Sequence, residues 1–585
     1  MSKRNILVLG INDGHDSGAA LVRNGQVVAA VQEERLNNIK HFSGVPEKSI
    51  LEVFNIAKAH PCEVNLIALV SYDPPGIENL ESFQIRALVK LSPLLHSDTY
   101  IRFYPYFKKN RARLKLLGKM LEKLGLASTE TTVVEHQTAH ASVAYRNSPW
   151  GYGNNRMDAK GNGNNHEVLV LTADGSGDAL SSTVNIGRRG KIERIAFSSY
   201  YDSLGNAFYS EITRFLGLKP WDHENKVMGL APYGRAEYCI ESMRKIIRLD
   251  EHNPLRFQNT IGALGTNIQP KLMRLLANQR FDNIAAAAQQ HLEDLMKKWV
   301  ENAIRVTGIR NVACAGGIFL NVKVNKLLRE SKEVQGIFFY PAPDDEGSPV
   351  GAALQGYYEY CLREGKRPDH SPIAGTYYGP SYDEEINEIL VKKSSNNKWK
   401  YELCHDIDKT AGELIIKGKV LARCSGAVEW GPRALGNRSI IADPQDIRVV
   451  HKINFAIKQR DFWMPFAPSI LEERKHDYLI DAEFAPYMIM AFDSTATKEG
   501  GDKISATIHP YDRTCRPQVV RREWNPHYHK IIKTFEDCTG VGAVLNTSFN
   551  LHGYPMAGTP EMALWTFENS KIDALVLGNY LVSKC

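Results

Sequence analysis

The sequence predicts an α/β protein that opens with a duplicated, strand-rich unit and ends in a second α/β domain. Three observations carry this. "NILVLGINDGHDSGAALVRNGQVVAAV" reads as an apolar strand, a turn at Asp13-Gly14 and a returning strand that ends in an Asn-Gly hairpin. "EVLVLTADGSGDALSSTVNIGRRGKIERIAF" repeats the plan, with a turn at Asp174-Gly175 and a tight turn at Arg188 to Gly190. Later, the helical pattern stops in the charged, proline-containing "CLREGKRPDHSP", residues 361 to 372. Alternating apolar residues around short glycine turns signal β-meanders. Two such units separated by helical sequence point to a duplicated fold with a cleft between its halves. The expected domains are 1–365 and 366–585.

The chain has 585 residues, too many for one ordinary core. Hydrophobic residues make up 43% and charged residues 24%, the balance of a soluble globular protein. A net charge of +6 suits anionic substrates such as phosphates but is too dilute for a nucleic-acid groove. "MSKRNILVLG" has too short an apolar run for a signal peptide. No stretch approaches the ~20 apolar residues that span a bilayer. Nine cysteines without a CxxC pair suggest reduced thiols in a cytoplasmic enzyme.

Taken in order, the elements carry the following chemistry. Residues 82–127 are basic and helix-rich, and 151–167 read as a Gly/Asn-rich surface insertion. Between them, His136 and His140 in "EHQTAH" stand at i, i+4, so a helix would point both imidazoles one way. That spacing fits a metal site or two polar residues on an ordinary helix face. Asp174, ending the repeated strand, and Asp345, in "YPAPDDEGSPVGAAL", extend the pair to a mixed N/O set suited to a divalent first-row metal. Gly175 in "DGSGD" offers free amides and room for phosphate. "DHENKVMGLAPYGR" is a purine-pocket wall or a plain surface turn. "ACAGGIFLNVKVNKLL" places Gly316 and Gly317 before a helix carrying Asn321 and Asn325, a geometry for nucleotide or phosphate. In the C-terminal part, Arg433, Arg438, Lys458, Arg460 and Arg516 lie among small and apolar residues, with Gln518, Asn546, Thr547, Ser548 and Asn550 nearby in sequence. Cations so embedded suggest a second anion site, since guanidinium forks grip phosphate or carboxylate bidentately.

"GHDSGAAL", "VQEERLNNIKH", "EHQTAH", "TADGSGD", "ENKVMGLAPYG", "CAGGIFLNVKVN", "EWGPRALGNRSI" and "VLNTSFN", in that order, resemble the O-carbamoyltransferases of the NodU/CmcH/TobZ type over essentially the whole chain. The resemblance implies a duplicated ASKHA (actin-like ATPase) N-terminal domain and an α/β YrdC-like C-terminal domain. It also implies two reactions. Carbamoyl phosphate and ATP, the latter with Mg2+, give carbamoyl-adenylate and pyrophosphate. The carbamoyl group then passes to a hydroxyl of a natural-product small molecule, releasing AMP.

Carried over by position, His136, His140, Asp174 and Asp345 match metal ligands for iron(II) or another divalent first-row ion. His15 matches the general base and Lys40 a lysine beside the transferred carbonyl. Gly175, Gly316, Gly317 and Asn321 match the adenylate site. Arg433, Lys458 and Arg516 match the carbamoyl phosphate site, with Arg438 and Asn546 in support. The family often has a cation where this chain has Met464, and a Glu where it has Tyr554. The dilute charge and the lack of a long apolar run argue against a nucleic-acid or membrane partner, and a homodimer is one option for the assembly. Competing readings are a small-molecule kinase of the ASKHA class, a threonylcarbamoyl transferase acting on tRNA, and an actin-like ATPase whose C-terminal domain binds partners.

Overall fold

Two five-stranded sheets repeat one another. The computed structural model describes residues 5–71, 111–151, 167–369, 371–393, 398–495 and 503–585. Strands β1 (Leu7–Asn12), β2 (Gly18–Arg23), β3 (Gln26–Gln32), β4 (Leu66–Val70) and β5 (Thr131–Val134) form a sheet in the order β3-β2-β1-β4-β5. Strands β6 (Val168–Gly177), β7 (Leu180–Arg188) and β8 (Lys191–Ser199) lead, past a short ladder of β9 (Ile247–Leu249) and β10 (Phe257–Asn259), to β11 (Asn311–Ala315) and β12 (Gly336–Phe339). From its β8 edge the second sheet reads β8-β7-β6-β11-β12, the same order. Directions also repeat: β1 is antiparallel to β2 and parallel to β4, as β6 is to β7 and β11. Even the hairpin turns agree. Asn24-Gly25 has φ of 52° and 81°, and Arg189-Gly190 has 50° and 80°. Left-handed backbone at both central residues matches the twist of the flanking strands, which is why Asn-Gly and X-Gly pairs stand there. The duplication expected from the sequence is thus present in topology, direction and turn geometry.

Two helices lie at the heart of this unit. Helix α1 (His136–Asn147) packs on β6, β7 and β11, while a later helix (Ser348–Arg363) packs on β1, β2, β4 and β5 and against α1. Between them in sequence come α2 (Phe281–Thr307) and α3 (Val322–Arg329), so the later helix is α4. The contact between α1 and α4 is backbone to backbone. A Cβ on Gly351 would stand 2.1 Å from the carbonyl oxygen of Ala139. A Cβ on Gly10 of β1 would likewise stand 2.0 Å from the carbonyl of Pro349.

Every residue of α1 except Thr138 is buried, so the helix has no solvated face for its polar side chains. Each must find a partner. Gln137 accepts from Thr172 Oγ1 at 2.6 Å, and Arg146 donates to Ser142, Gln355 and the Gly190 carbonyl. His136 and His140 face carboxylates.

The chain divides into two compact units, residues 1–30 with 43–373, and residues 31–42 with 374–585. The second is built on an eight-stranded mixed sheet. Its strands are β13 (Trp399–Leu403), β14 (Leu421–Cys424), β15 (Arg438–Ala442), β16 (Ala467–Leu471), β19 (Gln518–Val520), β20 (Ala543–Ser548), β21 (Ala574–Leu577) and β22 (Tyr580–Lys584). They run in the order β13-β22-β21-β14-β15-β20-β16-β19, and β17 (Phe492–Asp493) and β18 (Thr514–Cys515) make a separate ladder. Helices α5 (Ile407–Ile416) and α6 (Pro526–Thr539) pack together, and the core beside them is held by Ile415, Phe492, Tyr528, Ile531 and Phe535.

Residues 31–42 join this second unit although they lie near the start of the chain. Arg35, only 4% exposed, donates to the Gly431 carbonyl at 2.9 Å, and Gly558 packs against its backbone. All nine cysteines are free thiols. Among the described residues, no helix is long and apolar enough to cross a membrane. Gly351→Ala is expected to destabilise the N-terminal unit by about 1–3 kcal/mol, read as a lower unfolding temperature in calorimetry with the C-terminal transition unmoved.

Candidate functional site

Three chain segments bring the donor atoms together. The Glu135 carboxylate caps α1, accepting from the amides of Gln137 and Thr138, and so starts the helix at His136. The Asp178 carboxylate accepts from the His136 amide at 2.9 Å and from Ser71 Oγ at 2.8 Å, tying that helix start to two strand ends. Asp174 sits where β6 breaks register against β7, between Ala173 and Gly177. A Cβ at Gly177 would stand 2.1 Å from the His136 ring, so only glycine lets the imidazole lie there. Asp345 opens the single turn that leads into α4.

His136 Nε2 is 3.0 Å from Asp174 Oδ2 and 3.2 Å from Asp345 Oδ1. His140 Nε2 is 3.7 and 3.5 Å from the same atoms and 3.1 Å from His136 Nε2. All four residues are buried. Burial opposes charge on both imidazoles, but the carboxylates outweigh it and raise their pKa above the usual 6.5, His136 well above. Asp174 goes the other way, held well below 3.8 by the two histidines against the effect of burial.

The donor set fits a metal ion. Bonds of about 2.1 Å to a first-row divalent ion place neighbouring donors roughly 3.0–3.5 Å apart, and four of the five donor distances fall between 3.0 and 3.5 Å, the fifth being 3.7 Å. Two imidazole nitrogens at 3.1 Å cannot both keep a proton between them, and an ion would replace the protons that now hold the cluster together.

The neighbouring glycine turn is linked to the same carboxylate. Asp174 Oδ1 accepts from the Gly317 amide at 3.2 Å. Gly316 has φ of 104°, and a Cβ there would lie 2.2 Å from the Ala173 carbonyl, so the turn needs glycine to pass β6. Gly175 lies against the Asn206 side chain, which accepts from Trp221 Nε1. Asn321 caps α3 and exchanges hydrogen bonds with Gln289, so its side chain is committed to holding two helices.

His15 is one-third exposed, with Nδ1 3.1 Å from Asp16 Oδ2. Burial lowers its pKa, but Asp16, Asp345 and Asp344 together raise it to about 10. Asn12 Nδ2 donates to the carbonyls of both His15 and Asp345, joining the end of β1 to the metal-ligand turn.

The C-terminal unit gathers charge of the opposite sign. Lys458 is 3% exposed and donates to the carbonyl of Asn550 and to its Oδ1 at 2.6 Å. Burial, then the charges of Arg460 and Lys40, hold its pKa well below 10.5. Arg516 is depressed by burial, then by Arg433 and Arg460, and Arg460 is lowered to about 10 by burial. Among the described residues, neither Arg460 nor Arg516 has a carboxylate partner. Lys40, in the segment 31–42, therefore belongs with this cation set.

Arg438 and Asn546 have a different part. Arg438 is 1% exposed and donates to the carbonyls of Gly426 and Asn437. Asn546 donates to Ala434, Ser469 and Gln518. Glu429 Oε1 accepts from the amides of Leu435, Asn437 and Arg438, folding "EWGPRALGNRSI" into a loop that carries Arg433, whose charge acts on Arg516. Sequence reading did not single out Glu429; a lone buried acid among glycines and arginines was the signal.

The chain matches the family described as Carbamoyltransferase N-terminus over residues 7–354 and that described as Carbamoyltransferase C-terminus over residues 412–584. It is 32% identical to the uncharacterized protein MJ1051 of Methanocaldococcus jannaschii, covering 99% of this chain and 100% of that one. It is 31% identical to nodulation protein NolNO of Sinorhizobium fredii, over 97% of this chain and 79% of that one. Identity to nodulation protein NolO of Bradyrhizobium diazoefficiens is 33%, over 72% of this chain and 76% of the relative. With both domain families matched in order and relatives aligned nearly end to end, this chain belongs to the carbamoyltransferase family.

Proposed function

We propose that the enzyme makes carbamoyl-adenylate from carbamoyl phosphate and ATP in its C-terminal unit, and transfers the carbamoyl group to a hydroxyl of a small-molecule natural product in its N-terminal unit. The observation that carries this is the cation set of buried Lys458 and half-buried Arg433, Arg460 and Arg516, in which, among the described residues, neither Arg460 nor Arg516 has a carboxylate partner. Buried like charges repel, so such a set is stabilised by an anion, and two phosphorylated substrates supply one. Arg433, Arg516 and Lys458 would grip carbamoyl phosphate, with Lys40 adding its field, while Arg438 and Asn546 hold the loop. Water splits carbamoyl phosphate to carbamate and phosphate. The carbamate oxygen attacks the α-phosphorus of ATP, and pyrophosphate leaves.

In the N-terminal unit, Gly175, Gly316 and Gly317 leave room for the adenylate beside the ligand set. A divalent ion held by His136, His140, Asp174 and Asp345, iron(II) or another first-row metal, would supply Lewis acidity when bound. His15 accepts the acceptor hydroxyl's proton as its oxygen attacks the carbamoyl carbon, and AMP leaves. That role requires the pull of Asp16 first, then of Asp345 and Asp344, on the imidazole to be offset in the loaded site. The segments proposed to choose the acceptor, 82–127 and 151–167, lie largely outside the described residues. A kinase of the same fold would give ADP and leave the C-terminal cations without a task.

Purified protein with ATP, carbamoyl phosphate and iron(II) should release pyrophosphate dependent on carbamoyl phosphate and form a species of carbamoyl-AMP mass. Phosphate and ADP alone, with acceptors present, would reject the proposal. His15→Ala should keep pyrophosphate release yet lower transfer by about 10²–10⁴-fold. Arg433→Ala should block pyrophosphate release while transfer from supplied carbamoyl-adenylate survives. His140→Ala should reduce bound first-row metal, measured by plasma mass spectrometry, from about one per chain to near zero.

A further inference from the structure

Beside the His/Asp ligand set lies a second group of carboxylates. Asp16, Asp344 and Glu346 each place an oxygen within 4.8 Å of the others. Asp344 and Glu346 flank the ligand Asp345 on one turn, and Asp16 comes from the loop after β1. Glu346 is 3% exposed, and its Oε1 makes no hydrogen bond. An acid oxygen buried without a donor, and facing two more acids, needs either a proton or a cation. Asp344 Oδ1 accepts from the Asp345 amide, and Asp16 Oδ2 lies 3.1 Å from His15 Nδ1.

We propose that Asp16, Asp344 and Glu346 form a second cation site, distinct from the His136/His140/Asp174/Asp345 set and selective for a hard divalent ion such as Mg2+. The two donor sets differ in kind. Nitrogen and oxygen together favour a transition metal, whereas three carboxylates with no nitrogen favour an ion that takes only oxygen ligands and keeps several waters. Those remaining positions suit phosphate oxygens. This last point deepens the nucleotide reading given above and rests on it; the cation site itself does not.

The test is a count of bound Mn2+ on the chelator-stripped full chain by electron paramagnetic resonance, with no nucleotide present. Two ions per chain are expected, of which excess Mg2+ displaces one. Glu346→Gln and Asp16→Asn should each lose the displaceable ion and keep the other. His140→Ala should lose the other and keep the displaceable one. An unmodified chain with no Mg2+-displaceable ion overturns the proposal, as does a displaceable ion that survives both carboxylate substitutions; either result means that Glu346 is held neutral by a proton. A single ion that Mg2+ displaces, lost in Glu346→Gln but retained in His140→Ala, would uphold this site and refute the transition-metal reading instead. The displaceable count on the unmodified chain decides even where a variant unfolds.

Discussion

The backbone contact of α4 on α1 is the constraint on which the N-terminal unit depends. With Gly351 against the Ala139 carbonyl and Gly10 against that of Pro349, two helices and a strand approach to distances no side chain would allow. That approach sets the start of α4 beside the start of α1, so Asp345 comes within 3.5 Å of both histidines. Apolar packing alone would hold the helices further apart. The His136, His140, Asp174 and Asp345 cluster follows from the close approach.

Burial then gives the two units opposite electrostatic characters. In the N-terminal unit the carboxylates Asp16, Asp174, Asp344, Asp345 and Glu346 share a small volume with three imidazoles. In the C-terminal unit buried Lys458 and half-buried Arg460 and Arg516 have their charges set against one another. One set calls for cations and the other for anions. This is the division on which the proposed function rests.

Supporting groups explain why the charged residues stay in place. Glu429 draws three amides inward, so that the loop bearing Arg433 is held by its own backbone. Arg438, matched by position as support for the anion site, donates to carbonyls, and Asn321 exchanges hydrogen bonds with Gln289. Residue type in a motif therefore did not separate the groups that meet a ligand from those that build the loop. Both kinds are arginine or asparagine among glycines, and only the direction of the hydrogen bonds tells them apart.

The duplication was legible from residues alone, because hydrophobic alternation and Asn-Gly or Arg-Gly turns are local signals tied to φ and to side-chain period. The i, i+4 histidines were legible for the same reason: helical periodicity is local. What needed the tertiary structure was everything carried by contacts distant in sequence. Nothing in "VQEERLNNIKH" shows that residues 31–42 leave the first unit and place Arg35 against Gly431. Nor does "PDDEG" show that Asp344 and Glu346 meet Asp16, more than 300 positions away. Local pattern chooses the elements; long-range packing chooses which charges share a site, because the field of a buried charge depends on what surrounds it in space and not on its neighbours along the chain.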